Sequence, residues 1–293
     1  MKRHPVKILL ILTTILGFCF VHASQVASPI KGAEHVTYKE VDGCKLILNS
    51  YFPQGHKRHK DQRPAVVFFF GGGWNGGSPS QFAPHCEYLA SRGMVAMTAD
   101  YRVKSRQGTT PFECVEDGKS AIRYVRQHAK ELGVDPRKIA AGGGSAGGHV
   151  AAATGTVRGM DEKNEDSGIS SKPNALLLFN PVYDNGPKGY GYDRVQGRHL
   201  EISPIHNVRK GIPPSIVFLG DQDKLIPVST AERFKSLVEK AGGRSYLHVY
   251  KDQPHGFFNK GKKGNFFEKT VFEMDRFLSS LGWLKGKPTI QVP

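Results

Sequence analysis

The chain has 293 residues, of which 39% are hydrophobic, 10% aromatic and 23% charged. That composition supports a sizeable core and excludes a disordered chain, while the length by itself is compatible with one domain or two. The formal net charge is +15, but the basic residues are scattered apart from His56 to Lys60 and Lys260 to Lys263. No recognisable nucleic-acid module accompanies them, so nucleic acid is not an expected partner.

At the N-terminus Lys2, Arg3 and Lys7 precede an apolar run from Ile8 to Val21, with Ala23 and Ser24 soon after. The pattern predicts a secretory signal peptide over 1–23, cut after Ala23. The run is about 14 residues long, short of the roughly 20 that span a bilayer. Its loss removes three positive charges from the +15 and leaves +12. No later stretch has spanning length, so residues 24–293 are expected to form one catalytic domain without stable membrane insertion, secreted or periplasmic. Cys44, Cys86 and Cys114 remain, an odd number without CxxC spacing, which excludes a disulfide framework.

Two strand-like runs between Thr37 and Phe52 flank Asp42-Gly43, the composition of a hairpin turn. The apolar run Ala65 to Phe70 stops at Gly71-Gly72-Gly73, as expected of a strand buried on both faces. A helix is predicted over Ser80 to Arg92, a strand over Val95 to Ala99 and a long amphipathic helix from Phe112 to Leu132. A strand at Lys138 to Ala141, a small-residue helix from Ala146 and a strand at Ala175 to Phe179 follow. After an irregular Gly- and Tyr-rich segment come a strand at Ser215 to Leu219, a helix from Thr230 to Ala241, a strand at Tyr246 to Tyr250 and a helix from Asn265 to Leu281. The alternation predicts an α/β fold, one mostly parallel sheet with helices on both faces.

The segment KIAAGGGSAGGHVAAA, Lys138 to Ala153, carries Gly143-x-Ser145-x-Gly147 between strand and helix. This is the pattern of a nucleophile elbow, where a serine on a sharp turn demands minimal side chains two residues to either side. With 34 glycines in the chain the motif would occur by chance in roughly one such sequence in four. Gly142-x-Gly144-x-x-Gly147 also matches a dinucleotide fingerprint, but the acidic residue that binding mode requires at the end of the next strand is missing: Glu165 and Asp166 lie in a polar loop.

The rest of the constellation favours the serine. Gly220-Asp221-Gln222-Asp223 follows one predicted strand and Asp252-Gln253-Pro254-His255-Gly256 the next, so acid and base fall at the sheet edge that holds Ser145. The order Ser145, Asp223, His255 is that of α/β-hydrolases. Gly71-Gly72-Gly73-Trp74 sits where backbone N–H groups can approach a developing oxyanion. Asp221 is an alternative acid, His149 is expected to pack, and His56-x-x-His59 is a weak metal pattern, so no metal site is expected.

Through FFFGGGW, ADYR, VDPRKIAAGGGSAGGH, SPI, FLGDQDKLIPV and PHGFF the chain resembles the α/β-hydrolase superfamily, carboxylesterase and lipase type. It is similar to hormone-sensitive-lipase-like esterases and to bacterial acetylxylan and feruloyl esterases. Phe70 and Gly144 replace the histidine and acid usual in the former, so the secreted carbohydrate esterases are the nearer likeness. The resemblance implies Ser145 as nucleophile, His255 as base, Asp223 as its orienting acid, and Gly72, Gly73 and Ala146 as oxyanion donors. It implies no cofactor, and a small-molecule or polysaccharide ester as substrate, with short acetyl or feruloyl groups; a peptidase or amidase, or a lipase, on the same fold is the alternative. Trp74 is expected to border the acyl side, and Tyr190 and Tyr192 to receive a sugar.

Overall fold

The computed structural model describes residues 30–292; the expected signal peptide lies outside them. Strands β1 (Glu34–Val41) and β2 (Cys44–Tyr51) form the hairpin, turning through Asp42 and Gly43 at φ 50° and 70°. Positive φ at both positions matches the twist of the flanking strands. Six further strands follow: β3 (Arg63–Phe69), β4 (Val95–Ala99), β5 (Val134–Gly144), β6 (Ala175–Phe179), β7 (Ser215–Gly220) and β8 (Ser245–Tyr250). Between them lie α1 (Ala83–Ser91), one-turn α2 (Lys104–Gln107), α3 (Pro111–Gln127), one-turn α4 (Ala129–Leu132), α5 (Ala146–Thr156), one-turn α6 (His199–Ile202) and α7 (Val228–Lys240), and α8 (Phe266–Ser280) follows β8.

All eight strands belong to one sheet of order β1-β2-β4-β3-β5-β6-β7-β8. β1 and β2 join antiparallel and β3 to β8 run parallel. Alternate residues of the central strands serve two cores. Val67, Phe69, Leu176, Leu178, Val217 and Leu219 pack with α3, α5 and α7. Val66, Phe68, Leu177, Phe179, Ile216 and Phe218 pack with α1 and α8 on the other face. Two-sided burial is why these strands read as unbroken apolar runs.

The largest shifts from the predicted boundaries are at β5 and the long helix. β5 extends through the glycines to Gly144, because Gly142, Gly143 and Gly144 still pair with Leu177, Leu178 and Phe179. The Phe68 ring occupies the space where a Gly142 side chain would stand. The long helix breaks at His128, which leaves helical geometry (φ −95°, ψ 17°) as its ring nitrogen meets the Tyr124 carbonyl oxygen at 3.0 Å. No helix of the described residues is long and apolar enough to cross a membrane. Cys44, Cys86 and Cys114 are free and buried.

Candidate active site

Parallel strands deliver their C-terminal ends to a single edge, and every predicted chemical group follows such an end. Ser145 stands between β5 and α5 at φ 55°, ψ −120°, a strained conformation for a residue with a Cβ. Its N–H donates to the Phe179 carbonyl at 3.0 Å, which docks the turn on β6. The flanking glycines are sterically required: a Cβ at Gly143 would lie 2.4 Å from the Gly147 oxygen, and one at Gly147 would lie 2.1 Å from the Phe69 oxygen.

The acid and base meet after β7 and β8. His255 Nδ1 and Asp223 Oδ2 are 2.6 Å apart, and the carboxylate is shielded from solvent while the imidazole is partly open. The other oxygen of Asp223 accepts from the N–H groups of Leu225 (2.9 Å) and Ile226 (3.0 Å), so the carboxylate has little freedom to turn. Asp221, the alternative acid, instead accepts the Asp252 N–H at 2.7 Å and shapes the loop that carries the histidine. The structure shows what each of the two aspartates holds.

Gly72 and Gly73 form a loop after β3 with φ 130° and 63°. At Gly72 a Cβ would come within 2.2 Å of the Gly76 oxygen, so only glycine fits the turn that the Asn75 and Gly76 N–H groups close onto the Gly72 carbonyl. Ala146 opens α5, where leading N–H groups have no intrahelical acceptor. His149 is fully buried, with the Trp74 ring edge-on at 5.0 Å; burial lowers its pKa from 6.5 to about 4.

The expectation for Trp74 is corrected. Its ring is 1% exposed and clamped against His149, so it offers no open face for stacking an acyl or sugar group. Its body fills the space between loop and helix, where burying a large ring stabilises more than exposing it would. Tyr190 is half-buried beside it, with ring centroids 5.9 Å apart. Tyr192 is exposed and leans on His199 at 5.8 Å. The three rings do not form one platform.

Sequence reasoning missed Asn180, which follows β6 at φ 34° and is 1% exposed. Its Oδ1 accepts the Gly256 N–H at 2.9 Å and its Nδ2 lies 3.4 Å from His255 Nε2. Ser145 Oγ makes no hydrogen bond to His255, whose Nε2 faces Asn180 instead. A polar chain continues from there: Asn259 Nδ2 donates to the Gly256 carbonyl (2.8 Å), Gln81 Nε2 to Asn259 Oδ1 (3.0 Å) and the Gly71 N–H to Gln81 Oε1 (2.6 Å). It ties the histidine loop to the glycine loop. A polar residue directly after a buried strand was the available signal for Asn180; Gln81 and Asn259 carried none.

Comparison with known proteins places this geometry. The family model described as BD-FAE matches residues 48–183, and that of the dienelactone hydrolase family matches residues 190–284. The acetylxylan esterase of Xylanibacter ruminicola is 28% identical over 69% of this chain, and esterase LipC of Mycobacterium tuberculosis 30% identical over 66%. The chain spans 41% and 53% of the lengths of these two relatives. Solved esterase 2 of Thermogutta terrifontis, in its apo form, is 48% identical with a TM-score of 0.85, covering 89% of this chain and 98% of that one. Matched in fold and along nearly the whole of a solved esterase at 48% identity, the chain belongs to the α/β-hydrolase superfamily, in its carboxylesterase and lipase group.

Proposed function

We propose that this protein hydrolyses short-chain carboxylic esters through an acyl-enzyme formed on Ser145. The observation that carries the reading is the 2.6 Å contact of His255 with the buried, doubly held Asp223, on the sheet edge where Ser145 sits in a strained turn. His255 takes the serine proton as the hydroxyl attacks the ester carbonyl, then returns it to the departing alcohol; water repeats the sequence on the acyl-enzyme. Asp223 holds the imidazole with Nδ1 protonated and stabilises the imidazolium. The N–H groups of Gly72, Gly73 and Ala146 receive the oxyanion, where fixed dipoles act without reorganisation.

Support also comes from the relatives. Thermogutta terrifontis esterase 2 is described as phosphorylated by paraoxon and as bound to propionate and to butyrate, in keeping with a reactive nucleophile and a short acyl site. The acetylxylan esterase among the relatives favours acetyl esters of a polysaccharide; the N-terminal basic and apolar pattern favours a substrate met outside the cytoplasm. The deciding experiment combines a panel of p-nitrophenyl esters from acetyl to octanoyl and acetylated xylan with labelling by a fluorescent phosphonate. Acetyl and propionyl esters should turn over best and the label should reside on Ser145. Labelling of another residue, or a preference for long emulsified esters, would refute the reading.

A further inference from the structure

The glycine loop has a second side. Gly73, Trp74 and Asn75 border a cleft of about 490 Å³, closed by Lys104, Thr109 and Arg194 among others. Ligand pockets are usually mostly apolar, and this one is not: the only large hydrophobic side chain in its wall is Trp74. A polar ligand suits it better than an acyl chain.

Its charge is specific. Lys104 and Arg194 stand in the wall with one acid, Asp193, and neither cation forms an ion pair among the described residues. Neighbouring arginines are engaged, Arg102 with Asp117 at 2.9 Å and Arg106 with Asp100 at 2.7 Å. Arg194 is nevertheless held in place. One of its nitrogens donates to the Gly73 carbonyl at 2.7 Å, and its guanidinium lies 5.2 Å from the Tyr190 ring centre and 6.0 Å from that of Trp74. A guanidinium fixed by other contacts keeps its remaining donors pre-organised for a planar anion. Trp74 Nε1 and Thr109 Oγ1, on two wall residues, are buried polar atoms without hydrogen-bond partners.

We propose that this cleft receives a carboxylate carried by the substrate, so that the protein prefers esters bearing a second, free acid group. Two cations against one acid suit a monoanion better than a phosphate dianion, which Asp193 would repel. The inference rests on the ester-hydrolase reading, because the cleft shares Gly73 with the loop assigned to the oxyanion. The carboxylate belongs either to the acid portion, as in a dicarboxylic half-ester, or to the alcohol portion, as in an acetylated hexuronic acid.

Matched substrates separate these sources. In one arm kcat/KM is measured for p-nitrophenyl hemisuccinate against p-nitrophenyl butyrate, and in the other for an O-acetyl hexuronate against the corresponding O-acetyl hexose. At low salt the charged member of one arm should be favoured about tenfold, and the preference should shrink at 0.5 M NaCl as screening intervenes. Lys104→Glu should abolish or reverse that ratio. No charge preference in either arm, or an unaltered ratio in Lys104→Glu, would overturn the proposal. Binding provides a readout independent of turnover: ligand-observed NMR on Ser145→Ala should detect succinate or hexuronate but not hexose, and Lys104→Glu in that background should erase it. If p-nitrophenyl acetate is not hydrolysed at all while the carboxylate still binds, the hydrolase reading fails and the cleft stands.

Discussion

The side-chain amide of Asn180 lies 3.4 Å from His255 Nε2, and its orientation is set by the Gly256 N–H, which donates to the amide oxygen at 2.9 Å. With the oxygen thus engaged, the NH2 group faces the imidazole. An N–H donor opposite Nε2 pairs with an unprotonated nitrogen, so Asn180 favours the tautomer that can act as a base. Asn180→Asp keeps the bond to Gly256 but places a negative charge beside the ring. The acid limb of the kcat/KM pH profile should move upward by about one unit, because a nearby carboxylate favours the protonated histidine. An unshifted limb would mean that Asn180 only shapes the loop.

The two aspartates give a ranking. Asp223→Asn removes the carboxylate that holds His255 and is expected to cost about 10⁴-fold in kcat, as loss of such an acid does in serine hydrolases. Asp221→Asn weakens only a loop contact and should cost less than tenfold. Steady-state kinetics on p-nitrophenyl acetate checks the order; a reversed order would transfer the acid role to Asp221.

Gly147→Ala tests the elbow sterically. Its new methyl would stand 2.1 Å from the Phe69 oxygen and 2.3 Å from that of Phe70, both backbone atoms of the central strand and the loop that follows it. Backbone cannot move aside as a side chain can, so the loss should reach about 3 kcal/mol or more, seen as a lower denaturant midpoint. A variant of unchanged midpoint would show that α5 can shift as a unit.

Trp74→Ala should destabilise rather than widen the acyl range. Emptying a site that is 1% exposed costs about 3–5 kcal/mol in comparable cores. Thermal unfolding together with the ester panel distinguishes the outcomes, and a stable variant with improved octanoyl turnover would restore Trp74 to the acyl pocket.

Stability should fall on mild acidification. Burial, with a smaller contribution from Lys260, lowers the pKa of His85 from 6.5 to about 3. Its ring lies among Phe68, Phe82, Phe179, Phe258 and Phe267. Lowered folded values mean that the unfolded chain binds the extra protons. The contribution is therefore complete above pH 6.5 and is lost as pH falls towards about 4 for His149 and about 3 for His85. Within that window each group should remove about 1.4 kcal/mol per pH unit. Urea titrations between pH 7 and 5 measure the slope, and His85→Leu should flatten it; an equal slope in the variant would contradict the assignment.

The alternation of strands and helices was legible in the sequence because each central strand is buried on both faces and therefore reads as an apolar run, as in Ala65 to Phe70 or Ala175 to Phe179. Ser145, Asp223 and His255 could be singled out for a related reason: in a parallel sheet a residue just past a strand is at the active edge wherever it falls in the chain. What only the tertiary structure decided is contact across distant segments. Asp221 and Asp223 differ by two positions and not in type, and the loop fold alone sends one to His255 and the other to the Asp252 N–H. Trp74 looked like a binding residue because aromatics beside glycines are open in sequence, yet α5 brings His149 against it and closes the face. Asn180 is marked only by its place directly after a buried strand, and Gln81 and Asn259 by nothing local, since their roles consist of hydrogen bonds between separate loops, and local pattern carries no record of a partner 76 or 178 residues away.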